Sequence, residues 1–259
     1  MFNYEDFDIK LETEFLGRNF IYFEKIDSTN SYLLNSKQIE EFGTLVFAEE
    51  QTAGHGRRGK TWVSKPGKNL TFSLLFNKEL NSFKISHLNL TAALSVAIAL
   101  ENLHQLSVNL KWPNDVLVNN KKICGILVET SVRGSKIDRA VIGFGVNVNQ
   151  DYFNQSFDIE PTSVKASVGM EVSRERLLSE ILNIFEENLF ILQKNPKYIL
   201  DLWRSRSKML GAKVKVSDGK SVKLGKFIDI DDDGFLILYD GKKEETIAFG
   251  DVSLREQED

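Results

Sequence analysis

Cysteine is nearly missing from this chain: Cys124 stands alone among 259 residues. No internal disulfide can form, and the composition suits a reducing compartment. Excess positive charge is missing as well. Lys and Arg number 33 against 37 Asp and Glu, a formal charge of -4, which disfavours a dedicated nucleic-acid binder. Long apolar runs are absent too. The longest, Thr91 to Leu100, falls far short of the roughly 20 residues that span a bilayer. The opening residues hold Glu5, Asp6 and Asp8 instead of a basic start and an apolar stretch, so they do not read as a signal peptide. There is no internal repeat and no low-complexity segment. The expectation is a soluble, cytoplasmic protein with no membrane partner.

What is present is enough for one large unit and one small one. Apolar residues make up 42% and charged residues 27%, mixed in sign, a balance that folds rather than stays disordered. Phe20–Phe23, Thr44–Ala48 and Leu70–Phe76 read as strands. Between the first two lies Asp27-Ser28-Thr29-Asn30, rich in N-capping residues, which predicts a short helix. Apolar residues at Leu88, Ala92, Val96, Ala99 and Leu103 give Ile85–Leu103 a helical period. Val108–Trp112, Val116–Val118, Ile123–Val128 and Ala140–Val148 read as further strands, with a turn at Asn119-Asn120. Arg174–Leu192 and Tyr198–Trp203 are helical. The fold class is therefore α+β. After Leu210 short β runs alternate with turns at Asp218-Gly219, Asp233-Gly234 and Asp240-Gly241, which indicates a small all-β barrel. The chain divides into residues 1–209 and 210–259.

Residues 54 to 61, GHGRRGKT, match the P-loop pattern letter for letter. A P-loop needs a helix directly after its lysine, and here Pro66 and Gly67 break any such helix before a strand begins. The loop still suits phosphate. Gly54, Gly56 and Gly59 permit close backbone approach, Arg57, Arg58 and Lys60 bring positive charge, and Trp62 offers a flat face. A solvated basic loop would carry the same letters.

Two further segments carry chemistry. In KWPNDVLVNNKKICGILVE, residues 111–129, Asn114 and Asp115 follow a fixed turn residue. Lys122 enters an apolar strand there, and an ammonium in such a place needs a partner. Contact with an anionic ligand would supply one; snorkelling to water is the alternative. Gly125 marks a bulge or a close approach. In VIGFGVNVN, residues 141–149, alternation sets Gly143, Gly145, Asn147 and Asn149 on one strand face. Two amides there could read a ribose or base edge.

Together DSTN, QTAGHGRRGKTW, KWPNDVLVNNKKICGILVE and GFGVNVN resemble, in order and spacing, the motifs of biotin protein ligases, from about residue 20 to the C-terminus. The resemblance implies a catalytic domain akin to class II aminoacyl-tRNA synthetases, residues 1–209, with an SH3-like barrel, residues 210–259. It implies a biotin–[acetyl-CoA-carboxylase] ligase that makes biotinyl-5'-AMP from biotin and ATP, then modifies a lysine of a biotin carboxyl carrier protein. Carried over by motif, Ser28, Thr29, Asn30 and Gln51 would bind the ureido ring. Gly54, His55, Gly56, Arg57, Lys122 and Gly125 would complete the biotin site. Arg57, Arg58, Lys60, Trp62, Asn114, Lys122 and Asn147 would serve ATP, with Trp62 against adenine. Arg57 and Lys122 would be catalytic. Mg²⁺ would enter mainly on phosphates, with Asp115 serving it indirectly. His55 and Lys60 stand where many members carry arginine, which removes bidentate grip. Some members carry an N-terminal helix-turn-helix; with the first strand at Phe20, no sequence-specific DNA binding is expected. A homodimer is left open. The rivals are a lipoate-type ligase of the same fold and an RNA-binding module, the latter disfavoured by the cluster Asp229, Asp231, Asp232 and Asp233.

Overall fold

The computed structural model describes residues 1–77, 83–134, 136–153, 157–218, 220–248 and 250–254. Seven strands form one mixed sheet in the order β1-β2-β3-β7-β6-β5-β4. They are β1 (Phe20–Ile26), β2 (Leu45–Gln51), β3 (Leu70–Phe76), β4 (Val108–Lys111), β5 (Asp115–Val118), β6 (Lys121–Arg133) and β7 (Lys136–Val146). β1 and β2 run parallel and the other pairs antiparallel. Every residue of β3 is buried, as a central strand covered on both faces requires. Its alternate residues face opposite ways. Phe72 stacks on Phe144 and Phe76 meets Phe185, on the side of the long helices α3 (Ile85–His104) and α5 (Arg174–Lys194). Leu75 joins Leu33 of α2 (Thr29–Asn35) on the other side.

Local chemistry sets the ends. Ser28 is the N-cap of α2, its hydroxyl oxygen accepting from Ser31 N at 3.3 Å. Asn119 and Asn120 both take positive φ, 51° and 62°, as a tight hairpin turn demands and Asn tolerates. At the far end of α2, buried Arg139 donates to the carbonyls of Leu33, Ser36, Lys37 and Ile39 at 2.8–3.1 Å. A cation at a helix C-terminus meets its negative dipole end. Ser173 caps α5, and Pro196 opens α6 (Pro196–Arg204). A short helix, α1 (Tyr4–Asp8), buries Phe7, and α4 (Val164–Val168) follows the large sheet.

The expected elements are present, most with longer boundaries, though the strands expected over Val108–Trp112 and Ala140–Val148 stop early at Lys111 and Val146, and one reading changes. β7 ends at Val146, so Asn147 and Asn149 lie beyond the strand. Asn149 does not read a ligand edge: its amide donates to Val172 O and accepts from Val172 N, tying this segment to the approach of α5.

Five strands, β8 (Lys213–Ser217), β9 (Val222–Ile230), β10 (Leu236–Tyr239), β11 (Glu244–Ile247) and β12 (Asp251–Leu254), make the small barrel in the order β11-β10-β9-β8-β12. The turns at Asp233-Gly234 and Asp240-Gly241 are observed, with both glycines at positive φ; Gly219 of the third lies outside the described residues. The Asp233-Gly234 turn seats on α3. Trp112 Nε1 donates to Gly234 O at 3.0 Å, His87 Nε2 sits 2.9 Å from Asp232 O, and Lys84 pairs with Asp233. A side chain on Gly234 would meet Leu90. Two of the barrel's clustered acids thus meet the molecule's own cations, Asp233 with Lys84 and Asp229 with Arg204 at 2.7 Å.

Candidate active site

The part of the sheet's second face that α2 leaves open is the floor of a cleft of about 890 Å³. Registration aligns Lys111, Asp115, Gly125, Gly145 and Thr71 across five strands, and Leu127, Gly143 and Ser73 in the next row. The glycines leave room above the floor. Any side chain on Gly145 would run into the ring of Trp62, and one on Gly143 into the amide of Asn30. Trp62 therefore lies directly on the sheet.

One end of the cleft is neutral and sits at the start of α2. Thr29 N donates to Gln51 Oε1 at 2.7 Å, and Thr29 Oγ1 lies 3.0 Å from the same oxygen and 2.6 Å from Ser73 Oγ. Ser73 Oγ reaches Asn30 Oδ1 at 2.5 Å, and Asn30 Nδ2 donates to Glu129 Oε2 at 2.8 Å. Gln51 thus spends its carbonyl inside the protein and keeps its NH₂ for the cleft. Ser28 uses its oxygen to cap the helix and keeps its hydroxyl hydrogen.

The other end is cationic. The pairing of β5 with β6 slips between Val116 and Leu117, so Leu117 opposes Lys122 where regular pairing would place Ile123. A β-bulge re-aims side chains, and this one turns Lys122 onto the cleft face. Its Nζ lies 2.6 Å from Asp115 Oδ1 and 5.9 Å from the centre of the Trp62 ring. Lys111 Nζ takes the other carboxylate oxygen at 3.4 Å. Burial pushes the Asp115 carboxyl up, but the two ammonium groups, Lys122 foremost, outweigh it and hold the group below its ordinary range. Arg57 reaches in from the basic loop, donating to Asn114 Oδ1 at 3.3 Å and to Gly250 O of the barrel at 3.2 Å. His55 lies 3.2 Å from Glu129 Oε2. Lys60 crosses to Asp158 at 2.8 Å, and that bond depresses the Asp158 carboxyl.

Most of the expected residues line this one cleft: Ser28, Thr29, Asn30, Gln51, His55, Gly56, Arg57, Lys60, Trp62, Asn114, Asp115, Lys122, Gly125 and Asn147. Two do not. Arg58, at φ 56°, points to the barrel and donates to Ser217 O at 2.7 Å, so the expected nucleotide contact by Arg58 does not fit this arrangement. Gly54 lies beneath the loop, where a side chain would strike Trp62 O and Gln51; its role is packing rather than lining. Asp115 faces two lysines, and no cluster of three or more His, Cys, Asp or Glu able to hold a metal exists among the described residues. Those side chains do not fit a protein-seated cation.

Sequence reading passed over Lys111, Thr71, Ser73 and Glu129. Thr71 and Ser73 had a signal: two hydroxyls, two residues apart, in the otherwise apolar LTFSLLF. Thr71 Oγ1 and Trp62 Nε1 are both buried without a partner among the described residues, and both lie beside Gly145. Cys124 carries no chemistry, since burial pushes its thiol far up.

The catalytic fold is of the class II aminoacyl-tRNA synthetase kind with an SH3-like barrel appended. Residues 22–147 match the biotin/lipoate A/B protein ligase family, and residues 209–255 the biotin protein ligase C-terminal domain. The bifunctional ligase/repressor BirA of Bacillus subtilis is 32% identical over 251 residues, covering 94% of this chain and 76% of that protein. The biotin–[acetyl-CoA-carboxylase] ligase of Paracoccus denitrificans is 30% identical, covering 88% and 97%. Among solved structures, the Aquifex aeolicus biotin protein ligase in complex with biotin and ATP aligns with TM-score 0.81 at 31% identity, covering 92% of this chain and 99% of that one. The chain belongs to the biotin protein ligase family.

Proposed function

We propose that this chain is an ATP-dependent ligase that joins biotin to ATP, giving biotinyl-5'-AMP and pyrophosphate, and then hands biotin to a lysine of a biotin carboxyl carrier domain. The observation that carries the reading is the polarity of the cleft: fixed hydrogen-bond donors and acceptors at one end, paired cations at the other. A cyclic urea has a carbonyl that accepts and N–H groups that donate. Ser28 O–H and Gln51 NH₂ would serve the carbonyl, and Thr29 Oγ1 would accept from an N–H. A lipoyl ring has neither group, so the same atoms would be left unsatisfied.

Biotin's carboxylate oxygen attacks the α-phosphorus, that P–O bond forms, and the bond to pyrophosphate breaks. Both reactants are anions, so the protein's task is to hold them together and take up charge. Arg57 and Lys122 do this. Lys111 shares Asp115 with Lys122, so two ammonium groups meet one carboxylate and one positive charge is left for the ligand. Mg²⁺ would arrive on the triphosphate and shield its charge. In the second half the carrier amine attacks the acyl carbon, the C–N bond forms, and AMP leaves. Trp62 and the loop exclude water from the anhydride meanwhile.

The site for these steps lies in residues 1–209, with residues 210–259 as the barrel. The protein works in the cytoplasm; among the described residues no helix is long and apolar enough to cross a membrane. No sequence-specific DNA partner is expected, and a mobility shift with purified chain would overturn that. Sedimentation with and without biotin decides the homodimer.

The direct test is incubation with ATP, biotin and an acceptor domain, read by intact mass. One added biotinyl group, absent without ATP and absent when lipoate replaces biotin, is expected. Modification by lipoate at a comparable rate would sink the assignment.

A further inference from the structure

Glu129 ends the segment KKICGILVE and does not line the cleft. Its carboxylate nevertheless receives both halves of the neutral end. Asn30 Nδ2 donates to it at 2.8 Å, and His55 Nε2 from the basic loop lies 3.2 Å from the same oxygen. We propose that Glu129 is a positioning residue for substrate selection: through Asn30 and Ser73 it keeps the Thr29 lone pairs open to the cleft, and through His55 it ties the loop to that setting. The proposal rests on the ureido reading of this end of the cleft.

The argument is a count of hydrogens. A carboxylate can only accept, so the Asn30 amide must turn its NH₂ toward Glu129 and its carbonyl toward Ser73. That carbonyl also only accepts, so the one hydrogen of Ser73 Oγ is drawn to Asn30 Oδ1 at 2.5 Å. Ser73 Oγ then accepts from its other neighbour, Thr29 Oγ1, at 2.6 Å. Gln51 Oε1, 3.0 Å from Thr29 Oγ1, likewise only accepts. Whichever neighbour takes it, the Thr29 hydrogen is spent inside the protein. Toward the cleft Thr29 offers lone pairs alone, so it selects a ligand that presents an N–H. Donation to an anion polarises the Asn30 amide, and the chain passes that polarisation along. Without the negative charge, the Leu127 carbonyl at 3.3 Å still accepts from Asn30 Nδ2, but the amide is less polarised and draws the Ser73 hydrogen less strongly. Ser73 then turns to donate to Thr29 Oγ1, and one of the lone pairs that would face the ligand is taken.

The test uses the full chain and the variant Glu129→Gln. Gln keeps the shape and removes the charge. The KM for biotin in ATP–pyrophosphate exchange is expected to rise about tenfold, the size of one weakened hydrogen bond, while the KM for ATP changes less than about twofold. A merely structural role is separated by biotin methylated at each ureido nitrogen in turn. For the analogue that has lost the N–H facing Thr29, parent and variant should bind within about twofold by calorimetry, because the affected contact is already gone. Should Glu129→Gln fail to fold, Ser73→Ala breaks the same chain one step nearer Thr29 and should give the same pattern. Equal losses for biotin and both methylated analogues, or a rise in the KM for ATP as large as that for biotin, overturns the proposal. No exchange by the parent with biotin overturns the functional reading instead, so the two failures are distinct.

Discussion

The two ends of the cleft solve different problems with different materials. The ring end is built of neutral groups on rigid elements: a helix N-cap, the hydroxyls of Thr29 and Ser73, and an amide, each with its polarity set by a neighbour in the protein. The anion end is built of cations on adaptable ones: an ammonium turned inward by a bulge, another beside it, and a guanidinium on a glycine-rich loop. Neutral groups with fixed polarity discriminate well, because a mismatched ligand leaves a buried donor or acceptor unpaired. Cations discriminate poorly but follow charge as it moves during a reaction. Specificity and reactivity are thus kept apart, and a substitution at one end should leave the other end's kinetic signature alone.

The largest effect belongs to the anion end. Lys122→Met removes an ammonium facing the transferred phosphoryl group and should lower kcat for ATP–pyrophosphate exchange about 100- to 1,000-fold, by analogy with losing one oxyanion donor. Biotin affinity, which draws on the same ammonium through the carboxylate, should fall by less, about tenfold. If titration calorimetry shows that the loss is mainly biotin binding, the separation of the two ends is broken.

Next comes the carboxylate that both lysines share. Asp115→Asn leaves Lys111 and Lys122 without their counter-ion and should cost about 3 kcal/mol of stability at pH 7, the lower bound for breaking a buried pair. The sign with pH follows from the depressed Asp115 carboxyl. A group whose folded pKa lies below its unfolded value, about 3.9 for Asp, contributes its stability fully above that value. It loses the contribution as pH falls through the folded pKa. The gap between parent and variant should therefore be constant from pH 7 to about 5 and shrink below about 4. Glu49 is depressed in the same way: burial raises it, but the Arg174 guanidinium at 2.6 Å and the Gly67 and Phe2 amides overcome that. It adds to the acid slope of both proteins and cancels in the difference. Urea unfolding at several pH values reads this, and a gap that widens in acid would refute the assignment.

How far these ends were legible in the sequence follows the same division. The ring end was half visible. DSTN announced a capped helix start, and Gln51 came with the motif. But Ser73 and Glu129 act across strands that meet only after folding. Their register cannot be read from one strand's letters. At the anion end the types were visible and the directions were not. Lys122 was marked as a costly ammonium, yet by simple alternation it would share the face of Cys124. The bulge that reverses this is a pairing irregularity between β5 and β6, a property of two strands. Arg58 looked equivalent to Arg57, but a left-handed backbone at Arg58 sends the neighbours to different partners. The VNVN alternation held for Asn147, which lines the cleft, and failed at Asn149, because the strand stops at Val146 and Asn149 has backbone to satisfy.

A smaller effect tests the loop. The guanidinium of Arg57 donates to the carbonyl oxygens of Asn114 and Gly250, and a phosphate in the cleft would accept a stronger, charge-assisted bond from it. Arg57→Gly should release biotinyl-adenylate about 10- to 100-fold faster, from the loss of one such bond. Retention as long as in the parent, followed by filter binding of labelled adenylate, would remove Arg57 from the site.

The smallest effect is the sharpest probe of the ring end, because Ser28 has two functions there that can be separated. Its oxygen caps α2 by accepting from Ser31 N, and its hydrogen is assigned to the ureido carbonyl. Ser28→Ala removes both, so it should cost about 1 kcal/mol of stability and raise the KM for biotin about tenfold. Ser28→Gly removes the same donor, but glycine is a tolerable N-cap, so its stability cost should be a few tenths of a kcal/mol. The two variants should therefore differ in melting temperature and agree in KM. If KM instead tracks the melting temperature through both, Ser28 acts by holding the helix in place, and the neutral end selects its ligand by shape rather than by the direction of its hydrogens.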